Sequence, residues 1–157
     1  MKTATVSQLK KELENQSQVE LLELCLHLSK FKKENKELLT YLLYESDDEA
    51  GYIEGIKTEV DALFEQINTS SYFYIKKSVR KILRLVKKYI RYSKNKETEV
   101  ELLLHFCKVL KEMKPSITHN VSLQNIFNRQ ILLIRKAVAT LHEDLQYDYK
   151  MELDELL

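Results

Sequence analysis

The scarcity of glycine and proline constrains the fold of this chain more than any other feature of its sequence. Only two glycines and one proline occur among 157 residues, whereas average usage is roughly 7% glycine and 5% proline. Tight β-turns depend on glycine, proline or Asn-Gly pairs, so a sheet of several strands would lack the residues suited to its turns. The sequence therefore predicts an all-α fold.

The overall composition is that of a folded domain. Hydrophobic residues make up 44% and charged residues 31% of the chain, which excludes a disordered protein. No run approaches the roughly 18 apolar residues of a transmembrane helix, and the first residues do not resemble a signal peptide. Two cysteines are too few for a disulfide framework, which fits a reducing compartment. We therefore expect a single domain over residues 1–157, cytoplasmic and without membrane contact.

Several helix ends can be placed from local motifs. The tetrapeptides beginning at Ser17, Ser46 and Thr98 each carry Glu three residues after Ser or Thr, the capping-box spacing that satisfies two free amides at a helix start. Asn35 is expected to cap a further helix. Pro115 is expected to end one at or before the preceding residue, because the residue before proline avoids the helical conformation.

Apolar residues at spacings of three and four place the helices themselves. The expected ranges are residues 7–14, 18–33, 36–45, 47–67, 72–92, 97–114 and 122 to about 149. The short connection 93–96 forces its two helices to be antiparallel. We expect six or seven antiparallel helices, arranged either as a bundle or as a short right-handed solenoid of helical hairpins.

Two segments carry a resemblance to known proteins. One is Val19-Glu-Leu-Leu22, and the other runs from Lys87-Lys-Tyr-Ile-Arg-Tyr-Ser93 to Glu99-Val-Glu-Leu-Leu-Leu-His-Phe-Cys107. They resemble a family of small bacterial all-helical proteins of uncharacterised function, over less than half of the chain. The resemblance implies a helical fold and a bacterial cytosolic setting. It includes no catalytic signature, so it transfers no site residue.

The cysteine and histidine residues invite comparison with metal sites. Cys25-x-His27 and His105-x-Cys107 look like two half-sites. Residues two apart on a helix point about 200° apart, so neither pair can chelate one ion. Both cysteines fall on apolar helix faces, where a thiol behaves as a small hydrophobic group. The sequence predicts no bound metal and no other cofactor.

Motifs of enzymatic chemistry are also missing. Gly51 and Gly55 stand alone and do not form a phosphate-binding loop. The acids near Asp47 lack the alternating oxygen ligands of a calcium loop, and no nucleophile elbow of the Gly-x-Ser-x-Gly type occurs. We expect a non-enzymatic protein with no catalytic residue.

Charge is strongly segregated along the chain, although the net charge is only +1. Residues 70–96 contain ten basic residues and no acid, whereas residues 45–66 contain eight acids and one lysine. Two interpretations are open: the basic helix contacts phosphates or an acidic partner, or it neutralises the acidic helix beside it. The second is favoured, because a short turn joins the two helices and sets their flanks side by side.

Surfaces are therefore the informative features of this sequence. We expect a non-enzymatic helical interaction or scaffold module whose partner is a protein. The alternative is a nucleic-acid-associated protein that uses the basic helix 76–96. Its candidate contacts with a nucleic acid or an acidic partner are Lys77, Arg80, Lys81, Arg84, Lys87, Lys88 and Arg91.

The C-terminal helix offers a further surface. Its apolar stripe fits either a monomeric core, which is favoured, or the seam of a homodimer. Residues 147–157 are expected to form a frayed or partner-binding tail, whose apolar edge would favour the dimer. The stripe consists of Phe127, Ile131, Ile134, Val138, Leu141 and Leu145.

Overall fold

Helices form the regular structure of the whole chain in the computed structural model, which describes residues 1–157 and contains no strand. The all-α fold predicted from the scarcity of glycine and proline is confirmed. The contacts divide the chain into two compact units, Met1–Tyr44 and Glu45–Leu157. That both units belong to one domain stays a prediction.

The first unit, Met1–Tyr44, begins with two well-capped helices. Thr5 and Gln8 form a reciprocal capping box, in which each side chain accepts a hydrogen bond from the other residue's backbone N–H. Ser17 caps the next helix as predicted, accepting from the Glu20 amide at 3.1 Å. The elements are α1 Val6–Glu14, α2 Gln18–Phe31, α3 Lys33–Thr40 and a π-helical turn, Tyr41–Glu45.

The connection between α2 and α3 differs from the expected one. Lys32 alone, in an extended conformation, separates the two helices. Asn35 was expected to cap α3 but lies inside it, and its side-chain amide donates to the Leu28 carbonyl at 2.7 Å. The prediction was wrong because the asparagine bonds the last turn of α2 across the corner, a contact that local sequence cannot show.

The second unit, Glu45–Leu157, is a helical bundle. The helices Tyr72–Ser93 and Lys96–Glu112 form the predicted hairpin, with Lys94 in the left-handed conformation at the turn. Pro115 has the expected effect, because the preceding helix ends at Glu112. The elements are α4 Glu49–Glu65, α5 Tyr72–Ser93, α6 Lys96–Glu112, a 3-10 turn Ile117–His119, α7 Val121–Val138 and α8 Glu143–Leu156.

Helix α6 is the centre of this bundle. Leu102, Leu103 and Leu104 are consecutive, so they point in three directions around the helix, and each is at most 2% exposed. Burial over roughly 200° of the helix circumference requires neighbours on more than one side. α4, α5 and α7 each pack against α6, which is a bundle arrangement. The predicted bundle is thereby supported, whereas the solenoid of helical hairpins is not confirmed.

Side-chain contacts fix the helix directions around α6. Tyr72, at the start of α5, donates to the carbonyl of Ser116 beyond the end of α6, so these two helices are antiparallel. α4 and α6 are parallel, because Lys57 meets Glu101 and, one turn further on both helices, Asp61 meets His105. α8 also runs parallel to α6, as shown by the ion pair between Lys108 and Glu152.

Two of the predicted capping boxes are not used. The N-cap of α4 is Asp48 rather than Ser46, and its carboxylate accepts from the Gly51 amide at 3.0 Å. The N-cap of α6 is Asn95 rather than Thr98. Thr98 is fully buried inside the helix, and its hydroxyl donates to a carboxylate of α4. The Ser/Thr-x-x-Glu spacing alone therefore does not distinguish a helix start from an interior turn.

The long C-terminal helix that the sequence predicts is broken into α7 and α8. Residues 139–142 leave the helix, and His142 caps α8 by accepting from the Asp144 amide. Gln146 donates to the Leu141 carbonyl at 2.8 Å and so holds the corner. The structure therefore has eight α-helices rather than six or seven. The sequence did not predict the break, because residues 139–142 contain no glycine or proline.

The apolar stripe of the C-terminal region lies within the bundle. Phe127, Ile131, Ile134 and Val138 are buried in α7, while Leu141 and Leu145 are half-buried. The predicted tail is helical and not frayed, and its packed side chains include Tyr149, Leu153 and Leu156. The stripe therefore belongs to the chain's own core, which is the interpretation favoured from the sequence, and a homodimer through this helix stays a prediction.

The central position of α6 predicts a steep cost for truncating its side chains. Leu103→Ala should lower the free energy of unfolding by about 2–5 kcal/mol, through lost burial and an unfilled cavity. Leu132→Ala, at a position 60% exposed, should change it by less than about 0.5 kcal/mol. Urea unfolding followed by circular dichroism measures both. Equal losses would contradict the central role of α6.

Candidate functional site

The predicted basic residues share one face of α5. Starting from Lys77, they recur at intervals of three and four residues along fourteen positions, which places them within about 120° of the helix circumference over roughly 21 Å. Most are exposed, while Lys87 and Lys88 are half-buried. We call this surface the basic face: Lys77, Arg80, Lys81, Arg84, Lys87, Lys88 and Arg91.

The opposite side of α5 anchors the basic face to the bundle. Ile75, Val79, Ile82 and Val86 are at most 4% exposed. Their spacing of three and four residues gives one continuous buried stripe. Since the stripe lies diametrically opposite the cations, the fold presents the basic face outwards along the helix.

Six cations of the basic face form no ion pair. Lys77, Arg80, Lys81, Arg84, Lys87 and Arg91 are absent from the ion pairs of the structure. Lys88 is different, because its ammonium lies 5.2 Å from the centre of the Tyr89 ring and it makes a further contact. The predicted neutralisation of α5 by the acidic α4 is therefore not made at these six positions.

The acids of α4 are engaged elsewhere. Most of their hydrogen bonds and ion pairs run to α6, to other residues of α4 or to hydroxyl groups, rather than to the cations of α5. The contacts are Glu49 with Thr98 at 2.6 Å, Glu54 with Lys57 at 3.4 Å, Glu59 with the Tyr89 hydroxyl at 3.1 Å and Asp61 with His105 at 2.6 Å. These contacts do not include the six cations, which therefore form no ion pair with α4.

An exposed aromatic pair extends the basic face at the start of α5. Phe73 and Tyr74 are 68% and 47% exposed, and their rings meet edge to face with centroids 5.4 Å apart. At 100° per residue both side chains lie within or beside the angular sector of the basic face. Sequence reasoning missed Phe73, although its position three residues before Lys76 in a basic segment could have indicated it.

A second polar cluster joins three helices inside the bundle. The Lys57 ammonium lies 2.8 Å from one Glu101 oxygen, and the Tyr149 hydroxyl donates to the other at 2.8 Å. Tyr149 also contacts Glu97 at 3.0 Å. These contacts connect three parallel helices, α4, α6 and α8.

The pKa values of this cluster are shifted away from neutrality. Burial alone would raise the pKa of Glu101, but hydrogen bonds from Lys57 and Tyr149 outweigh it and lower the pKa. Burial alone would lower the pKa of Lys57, yet the hydrogen bond and charge of Glu101 raise it. Burial and the two carboxylates raise the pKa of Tyr149. General acid–base catalysis needs a pKa near the working pH, so this cluster fits a structural clamp.

A polar cavity of about 460 Å³ lies beside this clamp. Four carboxylates line it, and each already has a partner within hydrogen-bond distance. Glu49 accepts from Thr98, the Tyr149 hydroxyl lies 3.0 Å from Glu97, and Glu54 and Glu101 both meet Lys57. Each carboxylate that lines the cavity therefore already has at least one contact within the bundle.

The cysteine and histidine residues do not form a metal site. Cys25 is exposed on α2, whereas Cys107 is buried in α6, where burial raises its pKa to about 12. His105 is paired with Asp61 rather than with a cysteine. No group of three or more His, Cys, Asp or Glu side chains is placed to hold a metal ion.

Comparison with known proteins adds no relative. No protein-family model, no curated protein and no solved structure matches the chain. The resemblance to small bacterial helical proteins stays a prediction. None of the helices combines the length and the apolar character needed to span a bilayer.

The clamp predicts a pH-dependent contribution to stability. Tyr149→Phe should lower the free energy of unfolding at pH 7 by about 1–2 kcal/mol, because a buried hydroxyl bonded to ionised carboxylates is lost. The lowered pKa of Glu101 means that this contribution is present at neutral pH and declines as the pH falls through that pKa. Urea unfolding at pH 7 and pH 3 measures the difference.

The matched control is Tyr147→Phe, on the same helix but 66% exposed. It should leave the unfolding free energy unchanged at both pH values. An equal loss for Tyr149→Phe at pH 7 and pH 3 would show that the hydroxyl does not act through the carboxylates.

Proposed function

We propose that this protein is a non-enzymatic interaction module that binds a polyanion, a single-stranded nucleic acid, through the basic face of α5. The observation that carries the proposal is the row of six cations without ion-pair partners. Uncompensated cations on a rigid helix form a positive surface that attracts phosphates.

The dimensions of the basic face suit a nucleic-acid backbone. Over roughly 21 Å, one strand of DNA presents about six phosphates. The cations are held on a helix whose other side is buried, so little conformational entropy of the backbone is lost on binding. Lysine and arginine side chains on such a helix contact phosphates without reading the bases.

The aromatic pair at the end of the face favours single strands over duplexes. Phe73 and Tyr74 are exposed beside the cations, and unpaired bases stack on such rings with about 1–3 kcal/mol per base. An acidic protein partner would gain from the cations but less from the rings. The combination of charge and exposed aromatic surface therefore points to a single strand.

An enzymatic function has less support. The groups with shifted pKa values are Lys57, Glu101, Cys107 and Tyr149, and each is shifted away from neutral pH. None of them is placed as a nucleophile beside a base. The proposal keeps the non-enzymatic interaction class expected from the sequence, and it takes the alternative partner, a nucleic acid, in place of a protein.

Charge removal on the basic face tests the proposal. The triple variant Arg80→Gln, Lys81→Gln, Arg84→Gln should bind a labelled single-stranded oligonucleotide at least tenfold more weakly than wild type at 50 mM salt. The slope of log K against log salt should flatten by about 2, since each lost phosphate contact contributes roughly 0.7. Fluorescence anisotropy measures both quantities.

The control removes equal charge from another surface. Arg129, Arg135 and Lys136 are exposed on α7, and changing all three to Gln alters the net charge identically. This variant should retain wild-type affinity. Equal weakening by both triple variants, or no binding by wild type at 50 mM salt, would refute the basic face as a nucleic-acid site.

The aromatic pair gives an independent prediction. Phe73→Ala should weaken single-strand binding about five- to fiftyfold through lost stacking, while binding of a duplex of the same sequence changes little. Helicity should be unaffected, because Phe73 is 68% exposed. If acidic polypeptide binds as tightly as the oligonucleotide and Phe73→Ala has no effect, the partner is an acidic protein.

A further inference from the structure

Helix α2 carries an apolar surface that the structure leaves uncovered. Its exposed side chains include Val19 at 65%, Leu22 at 58%, Leu28 at 59% and Phe31 at 70%. The sequence predicts that this helix forms a wide core face, but the only residue of α2 that is buried is Ser29. These apolar side chains are therefore only partly buried within the chain, and they contribute less to its stability than core residues do.

The charge pattern of α2 shows how wide this surface is. The charged or titratable side chains are confined to about 80° of the circumference, and the uncharged side chains span roughly 240°. A helix that is apolar almost all round is normally buried. The polar sector consists of Glu20, Glu23, His27 and Lys30.

The apolar arc includes one side of a groove between α2 and α3. The groove encloses about 220 Å³, and Asn35 closes one end by its hydrogen bond to Leu28. No charged side chain lines it, so an occupant gains by apolar contact and not by ion pairing. The lining residues are Cys25, Leu28, Ser29, Asn35, Leu38, Leu39 and Leu42.

We propose that this surface is the interface of a homodimer, in which the α2–α3 hairpin packs against the same hairpin of a second copy. Ten large apolar side chains of α2, α3 and the turn after α3 are between 37% and 70% exposed. Together they expose on the order of 900 Å², close to the 800 Å² or so that each partner buries in a stable complex.

The charge of the first unit permits contact with a second copy, and symmetry favours it. Residues 1–44 contain seven lysines and six glutamates, so two such units approach without net repulsion. An isologous interface buries the same patch on both copies at once, so one contact covers part of the apolar surface of each copy. The dimer does not depend on the proposed function, although it would carry two basic faces.

Sedimentation velocity from 1 to 200 µM tests the dimer. Wild type should shift from monomer to dimer within this range, and the double variant Leu22→Glu, Leu28→Glu should weaken dimerisation at least a hundredfold with unchanged helicity. Leu132→Glu introduces charge at a position 60% exposed on α7, and it should dimerise as wild type. A wild-type monomer at 200 µM, or a double variant that dimerises normally, overturns the proposal.

Cysteine alkylation provides a second readout at the same surface. Cys25 is exposed in the groove and Cys107 is buried, so maleimide should label Cys25 at least tenfold more slowly at 200 µM than at 1 µM. The double variant should lose this protection. If Cys25 is not protected in a dimer, the interface lies elsewhere. If the monomer binds phosphatidylcholine vesicles and Leu22→Glu abolishes this binding, the surface is a lipid-binding site. Both outcomes overturn the proposal.

Discussion

The burial of α6 over most of its circumference is the constraint on which the second unit depends. Leu102, Leu103 and Leu104 are buried in three directions, and burying large apolar side chains supplies most of the favourable free energy of folding. Each neighbouring helix must then offer α6 a continuous apolar stripe and keep its charges on the far side. The arrangement of α4, α5, α7 and α8 around one hydrophobic helix follows from this requirement, and so does the outward direction of the basic face.

Polar contacts around α6 determine where the charges remain available. The acids of α4 bond to Lys57, His105, Thr98 and Tyr89, and the clamp at Glu101 holds α8 in place through Tyr149. Ion pairs at a surface contribute little to stability, but these contacts orient the acids of α4 towards partners other than the six cations of α5. A chain with a net charge of +1 can thereby present a strongly positive face, which is the basis of the proposed nucleic-acid contact.

The first unit is not organised around a buried central helix. It has no equivalent of α6, and leucines of α2 that match a core pattern, such as Leu22 and Leu28, remain exposed. Periodic apolar residues indicate that a helix face will be covered, but not whether the covering surface belongs to the same chain. The proposed dimer resolves this by making the α2–α3 hairpin part of a core shared between two copies.

The helical class and the end of α6 could be predicted from the sequence, because glycine and proline act on the local backbone. The α5–α6 hairpin could be predicted because the connection between the two helices is short. The sequence also located the cations of α5 on one face, since helical periodicity fixes their directions. Only the tertiary structure decided which capping motif is used, that α7 and α8 are separate, and which charges are paired. Those outcomes depend on contacts between residues far apart in the chain: Thr98 is buried against Glu49, and Asp61 meets His105 instead of a cation of α5. The spacing of residue types along the chain does not indicate such partners.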